Sequence, residues 1–250
     1  MIKDVGYSKD TCLGLFNFYI EWNEKNQNRS MRQVLELVAS LINQNPDKEI
    51  SKSVKDSILE RNLAIIGHRG AQPFVKFAFK SLECLLAKGT ISAQELIDAY
   101  SVEGGRSQTP RENSSNTVGL LWDSLVEESF DWMGLPDVSP AAGKFLVTVF
   151  RQLKKIEGSS AIGDDHVASW QRWIRSGLTK DPEALENVKT YLFPPLFKLD
   201  RPASLQFLEQ LNCQSPNSSD QGQEMDAQAL LRLAAMEVGK KSGLVEDPST

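Results

Sequence analysis

An all-α fold is predicted by three observations. Apolar residues recur at helical spacing along nearly the whole chain, sustained period-two alternation is almost absent, and prolines and glycines fall where helices start and stop. Composition agrees: of 250 residues, 40% are apolar and 24% charged, which excludes disordered, collagenous and membrane-bundle classes. A chain of this length buries a substantial core without disulfides or metals to staple it.

The first apolar stretch holds Leu13, Leu15, Phe16, Phe18, Ile20 and Trp22. Val34, Leu35, Val38, Leu41 and Ile42 then form an i, i+3/i+4, i+7 stripe, opened by Ser30 as a cap and stopped before Pro46. Ile58, Leu59, Leu63, Ile65 and Ile66 continue until Gly67 and Gly70, and Pro73 opens the next helix where its missing N–H costs nothing. In that helix Phe74, Val75, Phe77, Ala78, Phe79, Leu82, Leu85 and Leu86 cover so wide an arc that it must be buried on more than one side. Cys84 lies among them and reads as a small core hydrophobe.

Ser92 and Glu95 have the spacing of a capping box, introducing a short helix through Leu96, Ile97 and Tyr100. Residues 101–117 are polar and rich in Gly and Ser, and are predicted to be a mobile insertion. Leu121, Trp122, Leu125, Val126, Phe130 and Met133 resume helical spacing up to Gly134-Leu135-Pro136. Ser139-Pro140 reads as cap and first turn of a helix whose core face is Phe145, Leu146, Val149, Phe150, Leu153 and Ile156.

Beyond Gly158, Val167, Trp170, Trp173 and Ile174 mark one helix, and Leu185, Val188, Tyr191 and Leu192 mark the next, which Pro194-Pro195 is expected to break or kink. Pro202 opens a helix through Leu205, Phe207, Leu208 and Leu211. A last amphipathic stretch around Leu230, Leu231, Leu233, Ala234 and Met236 ends in Gly239-Lys240-Lys241, with cations where a helix C-terminus favours them. The predicted organisation is a helical domain over 1–213 with the insertion at 101–117, a linker at 214–223, and an amphipathic helix with a frayed tail over 224–250.

Helices fall into consecutive pairs near 11–44, 48–88, 92–133, 139–176 and 182–212, roughly 40 residues each. Pro73, Pro140 and Pro202 are each followed, at offsets of five, six and nine, by apolar triplets: Ala78, Phe79, Leu82; Phe145, Leu146, Val149; and Phe207, Leu208, Leu211. On these residues the chain resembles HEAT- and armadillo-type α-solenoids over residues 11–212. The resemblance implies stacked antiparallel helix pairs, about ten helices before the C-terminal one, and a scaffold that binds proteins on a concave or ridge surface. The proline spacings of 67 and 62 residues fit no single repeat unit, so an irregular helical bundle is the alternative. The crowded first stretch, lacking a polar outer face, predicts a piece of a longer solenoid or a chain that docks into a complex.

No catalytic constellation emerges. Asp164-Asp165-His166 is too local to converge on one metal and reads as a helix cap, with no HExxH or CxxC pattern beside it. Gly67-His68-Arg69-Gly70 reads as an inter-helix turn, with an anion-binding turn as the alternative. Ala142-Gly143-Lys144 lacks the upstream glycine of a phosphate loop. The expectation is therefore no enzyme, with no catalytic, metal or cofactor residues and no small-molecule substrate.

Charge is the remaining signal. The net charge is −5, which argues against a dominant attraction to nucleic acid or anionic lipid. Yet residues 144–180 are locally +4, carrying Lys144, Arg151, Lys154, Lys155, Arg172, Arg175 and Lys180, between acidic segments at 126–143 and 181–250. These seven are the candidate contacts for a protein partner or, with Trp170 and Trp173 to stack on bases, for RNA. The leading expectation is a non-enzymatic scaffold or adaptor for proteins. The alternatives are an RNA or ribonucleoprotein-assembly factor, as in ribosome biogenesis, and a regulatory subunit of an enzyme complex.

The N-terminal segment lacks the cleavage pattern of a signal peptide, and no apolar run is long enough to span a bilayer, so no membrane contact is expected. Three widely spaced cysteines, Cys12, Cys84 and Cys213, fit reduced thiols in the cytoplasm or nucleus. Thr109-Pro110 and Ser215-Pro216, in segments read as flexible, are candidate phosphorylation sites.

Overall fold

Burial of the amphipathic stripes, helix against helix, organises the chain. The structure is a computed structural model that describes residues 8–11, 13–15, 29–45, 47–68, 72–103, 117–156, 184–199, 201–213 and 222–244. Among them the regular elements are all helical, with no strand. The chain divides into two compact units, Met1–Arg111 and Glu112–Thr250, with the division inside the polar 101–117 segment.

In the first unit, residues 9–11 and 13–15 are helical, followed by α1 (Arg29–Gln44), α2 (Lys48–Gly67), α3 (Gln72–Ala87) and α4 (Ala93–Glu103). Leu35, Val38, Ala39 and Ile42 of α1 are buried, as the stripe predicts. Helix α1 already starts at Arg29, so Ser30 is a helical residue and not the cap expected of it. Asp47 caps α2 through Oδ1, which accepts from the N–H groups of Glu49 (3.0 Å) and Ile50 (3.1 Å). Pro73 is the second residue of α3. Val75, Ala78, Phe79, Leu82, Leu85 and Leu86 are at most 1% exposed, and α3 packs on both α1 and α2, the central position its wide apolar arc requires. Cys84 is buried, as expected. The packing order is α1 on α2 and α3, and α2 on α3 and α4.

Gly89, at φ +67°, lets the chain leave α3 through a Schellman turn, with Gly89 N–H on Leu86 O (3.1 Å) and Thr90 N–H on Leu85 O (2.9 Å). The capping box then forms as predicted: Glu95 N–H donates to Ser92 Oγ (3.1 Å) and Ser92 N–H to Glu95 Oε2 (2.8 Å). Lys55 of α2 donates to the other carboxylate oxygen, tying α2 to the start of α4. Burial opposes the charge on Glu95, but Lys55 and the Ser92 backbone and hydroxyl hold its carboxyl below its ordinary value. Glu95→Ala is expected to cost about 1 kcal/mol near neutral pH, measured by thermal unfolding. Because the folded-state pKa is depressed, that contribution is present above the unfolded value, about 4.3, and is lost as pH falls through the folded one. The stabilities of variant and wild type therefore converge in acid.

The second unit begins with α5 (Thr117–Asp131), a 3₁₀ turn (Trp132–Gly134) and α6 (Ser139–Ile156). Helix α4 reaches Glu103 and α5 starts at Thr117, so only 104–116 of the predicted insertion remain between them, outside the described residues. Ser139 does not cap α6. Val138 O accepts the helical bond from Ala142 N–H (3.1 Å), while Ser139 Oγ donates backwards to Pro136 O (3.3 Å), so its hydroxyl holds the preceding turn. Ala141, Ala142 and every residue from Phe145 to Phe150 are at most 5% exposed, which makes α6 the centre of this unit. The helix predicted around Val167, Trp170, Trp173 and Ile174 lies outside the described residues.

Helix α7 is composite: an α turn (Leu185–Asn187), a π turn (Val188–Leu192) and a further α segment (Phe193–Leu199). Pro194 and Pro195 have no N–H for the carbonyls of Thr190 and Tyr191, and in α geometry their rings would crowd those groups. The chain widens instead of breaking, with Phe193 N–H reaching Val188 O, and helix continues through both prolines. Asn187 Nδ2 donates to Met133 O (2.8 Å), joining α7 to the 3₁₀ turn.

Helix α8 (Arg201–Cys213) places Phe207, Leu208 and Leu211 in the core. Helix α9 (Gly222–Lys241) starts within the residues read as linker and packs on α7 and α8 through Leu231, Ala234, Ala235 and Val238. Leu233, expected on its apolar face, is 67% exposed, two positions from Leu231 and therefore on the far side of the helix. Gly243, at φ +64°, ends α9 in a second Schellman turn, and its carbonyl accepts from Arg201 Nη2 (2.7 Å).

Candidate functional site

Among the described side chains of α6, only Pro140, Lys144 and Arg151 are exposed. Lys144 and Arg151, seven residues apart, share one helix face, so a largely buried helix shows solvent a narrow strip whose charges are both positive. Lys154 and Lys155 lie within the helical span of α6, but their side chains are outside the described residues. Arg172, Arg175 and Lys180 are outside them entirely, as are Trp170, Trp173 and Asp164-Asp165-His166. Two of the seven predicted contacts are thus placed together. His68 is exposed at the end of α2, its N–H on Ile65 O (3.3 Å), while Arg69 and Gly70 lie outside the described residues.

The residue before Lys144 fixes what stands beside the strip. A Cβ on Gly143 would sit 3.1 Å from Tyr191 O, 3.2 Å from Tyr191 Cβ and 3.3 Å from Tyr191 C. Helix α6 therefore meets the π turn backbone to backbone, and the base of the Tyr191 side chain lies against Gly143. Tyr191 is 37% exposed. The sequence pattern places it on the buried face with Val188, three positions earlier. The wider π turn swings position i+3 outward and keeps i+4, Leu192, in the core.

Near Tyr191, α7 and α9 are joined by charge. Lys189 Nζ lies 2.5 Å from Glu237 Oε2 and 3.8 Å from Glu186 Oε1, and Lys241 Nζ lies 2.6 Å from Glu237 Oε1. The Lys189 hydrogen bond, then that of Lys241, holds the Glu237 carboxyl down at about 2, and Glu237 in turn raises Lys189. Lys189 and Glu237 are partly exposed, so salt screens the pair in part. Residues 189 and 237 are too far apart in the chain for local spacing to link them, whereas Lys241 is one helical turn from Glu237.

Tyr191 is thus set against α6 at Gly143, with carboxylates of both Glu186 and Glu237 along α7 and α9. No group of three or more potential metal-ligating side chains occurs among the described residues, and no helix among them is long and apolar enough to cross a membrane. Its helices, strandless among the described residues, define the class as all-α. No family model, no curated protein and no solved structure matches the chain.

Proposed function

We propose that the protein is a non-enzymatic helical scaffold or adaptor, built of stacked helix pairs in the HEAT and armadillo manner, that acts by binding other proteins. The observation that carries this reading is the packing order of the first unit, in which α1 touches α2 and α3, and α2 touches α3 and α4. Helices α1 and α2 each meet the next helix and the next but one, a neighbour pattern that consecutive pairs stacked in two layers would have. In the second unit α7 likewise meets α8 and α9. Its scattered cysteines support work in the cytoplasm or nucleus.

A ribonucleoprotein role is the second reading, supported by the cationic strip of α6. Capture of the tagged full chain from native lysate, with and without nuclease, separates the two. Proteins that stay bound after nuclease are the expected result. Their complete loss would move the assignment to RNA.

A further inference from the structure

We infer that the outward face of α9, centred on Leu233, pairs with the same face of a second copy of this chain, the two helices lying antiparallel about a twofold axis. The pairing goes beyond the scaffold reading and does not depend on it. The first observation is exposure. Helix α9 turns Leu231, Ala234, Ala235 and Val238 inward onto α7 and α8, yet Leu233 on its far side is 67% exposed, the most exposed large hydrophobic among the described residues. Ala229 is exposed one turn before it, and Met236 is partly exposed one turn after it. At about 100° per residue these three fall within one stripe, so α9 is apolar on two sides. A single exposed leucine is ordinary, whereas a stripe opposite the core face is a seam for another helix.

The second observation is that α9 is already fixed in place. Its far end is held by Arg201, which donates to Gly243 O, and its flank by Lys189 of α7, which pairs with Glu237. A partner therefore meets a preformed face, and little ordering entropy is lost on docking.

The third observation selects the occupant. Asp226 and Lys240 stand seven residues to either side of Leu233 and so share its face by helical register. A second α9 turned end for end about Leu233 sets Leu233 against Leu233, Leu230 against Met236, Asp226 against Lys240, and Ala229 against Glu237. Apolar residues meet apolar residues, and opposite charges meet at both ends. The Glu237 carboxylate, paired with Lys189 and Lys241, faces only the small Ala229. A parallel copy would instead put Asp226 on Asp226 and Lys240 on Lys240, and it would align the two helix dipoles rather than oppose them. The pattern reads the same from either end, as an isologous twofold contact requires. Confined to one face of one helix, such a contact stays below the roughly 1,200 Å² of standard interfaces, which puts the dimer in the micromolar range.

The test is sedimentation velocity of the full-length protein over a concentration series of about 1–200 µM, where a reversible shift from monomer to dimer is expected. Leu233→Asp is expected to weaken association about tenfold or more, with circular dichroism and melting unchanged because the side chain is exposed. Asp226→Lys and Lys240→Asp are each expected to weaken it roughly fivefold, less so at high salt, and the double variant carrying both is expected to recover most of the loss. A chain that stays monomeric across the series would overturn the pairing, as would a dimer indifferent to Leu233→Asp. Loss in Leu233→Asp without recovery in the double charge variant would overturn the antiparallel register. Leu233-dependent capture of a different protein by a monomeric chain would overturn the second copy as the occupant.

Discussion

Gly143→Val is expected to destabilise the second unit by about 3 kcal/mol and to lower its melting temperature by about 6–12 °C. The new Cβ would arrive 3.1–3.3 Å from the carbonyl oxygen, carbonyl carbon and Cβ of Tyr191. Two of those atoms are backbone, so no rotamer change relieves the contact. Helix α6 cannot back away, because Phe145, Leu146, Val149 and Phe150 hold it in the core. A β-branched side chain adds its own rotamer restriction in a helix. Gly143→Ala is the control: its gain in helix propensity, about 1 kcal/mol, opposes a contact that requires a shift of only a few tenths of an ångström. Thermal unfolding followed by circular dichroism reads both. Wild-type stability in the valine variant would mean that α6 and the π turn do not approach so closely.

Phe207→Ala is expected to cost about 3–5 kcal/mol. Phe193, Phe197 and Phe207 form one cluster, with ring centroids 5.3, 6.2 and 6.4 Å apart, and all three are at most 1% exposed. Phe207 is the member supplied by α8, so its loss opens a cavity between α7 and α8 and removes two tilted ring contacts. In urea, the midpoint for the second unit should fall with its slope unchanged, the mark of lost stability with the same surface exposed on unfolding. Phe207→Leu, which leaves less empty volume, is expected to cost less.

What could be read in the sequence was what short-range spacing encodes. The stripe of Leu35, Val38 and Ile42, the burial of α3 on more than one side and the Ser92–Glu95 box all depend on residues within about two helical turns, and all are present in the fold. Asp47 was equally accessible, since an Asp just before a helix is an ordinary cap signal. Ser139 carries the same signal but uses its hydroxyl on the preceding turn, a choice made by how residues 135–138 fold back. The passage of α7 through Pro194-Pro195 depends on a widened turn, and that turn rests against a glycine on another helix.

The candidate site divides in the same way. The shared face of Lys144 and Arg151 follows from a separation of seven on one helix. Tyr191 is brought to α6 by its contact with Gly143, 48 residues earlier, and Glu237 to α7 by the ion pair from Lys189. Neither link has a local pattern, because each is made by tertiary packing.

The π turn also sets the phase of α7. By housing one residue more than an α turn would, it rotates everything downstream by about 100° relative to an uninterrupted helix. Leu185–Asn187 and Phe193–Leu199 are thus two angular frames joined end to end, and the phenylalanines of the second frame face α8 because of that offset. Chain length between 188 and 192 is therefore information in its own right: removing any one residue there would restore regular pitch and turn Phe193 and Phe197 away from Phe207, even with every other side chain unchanged.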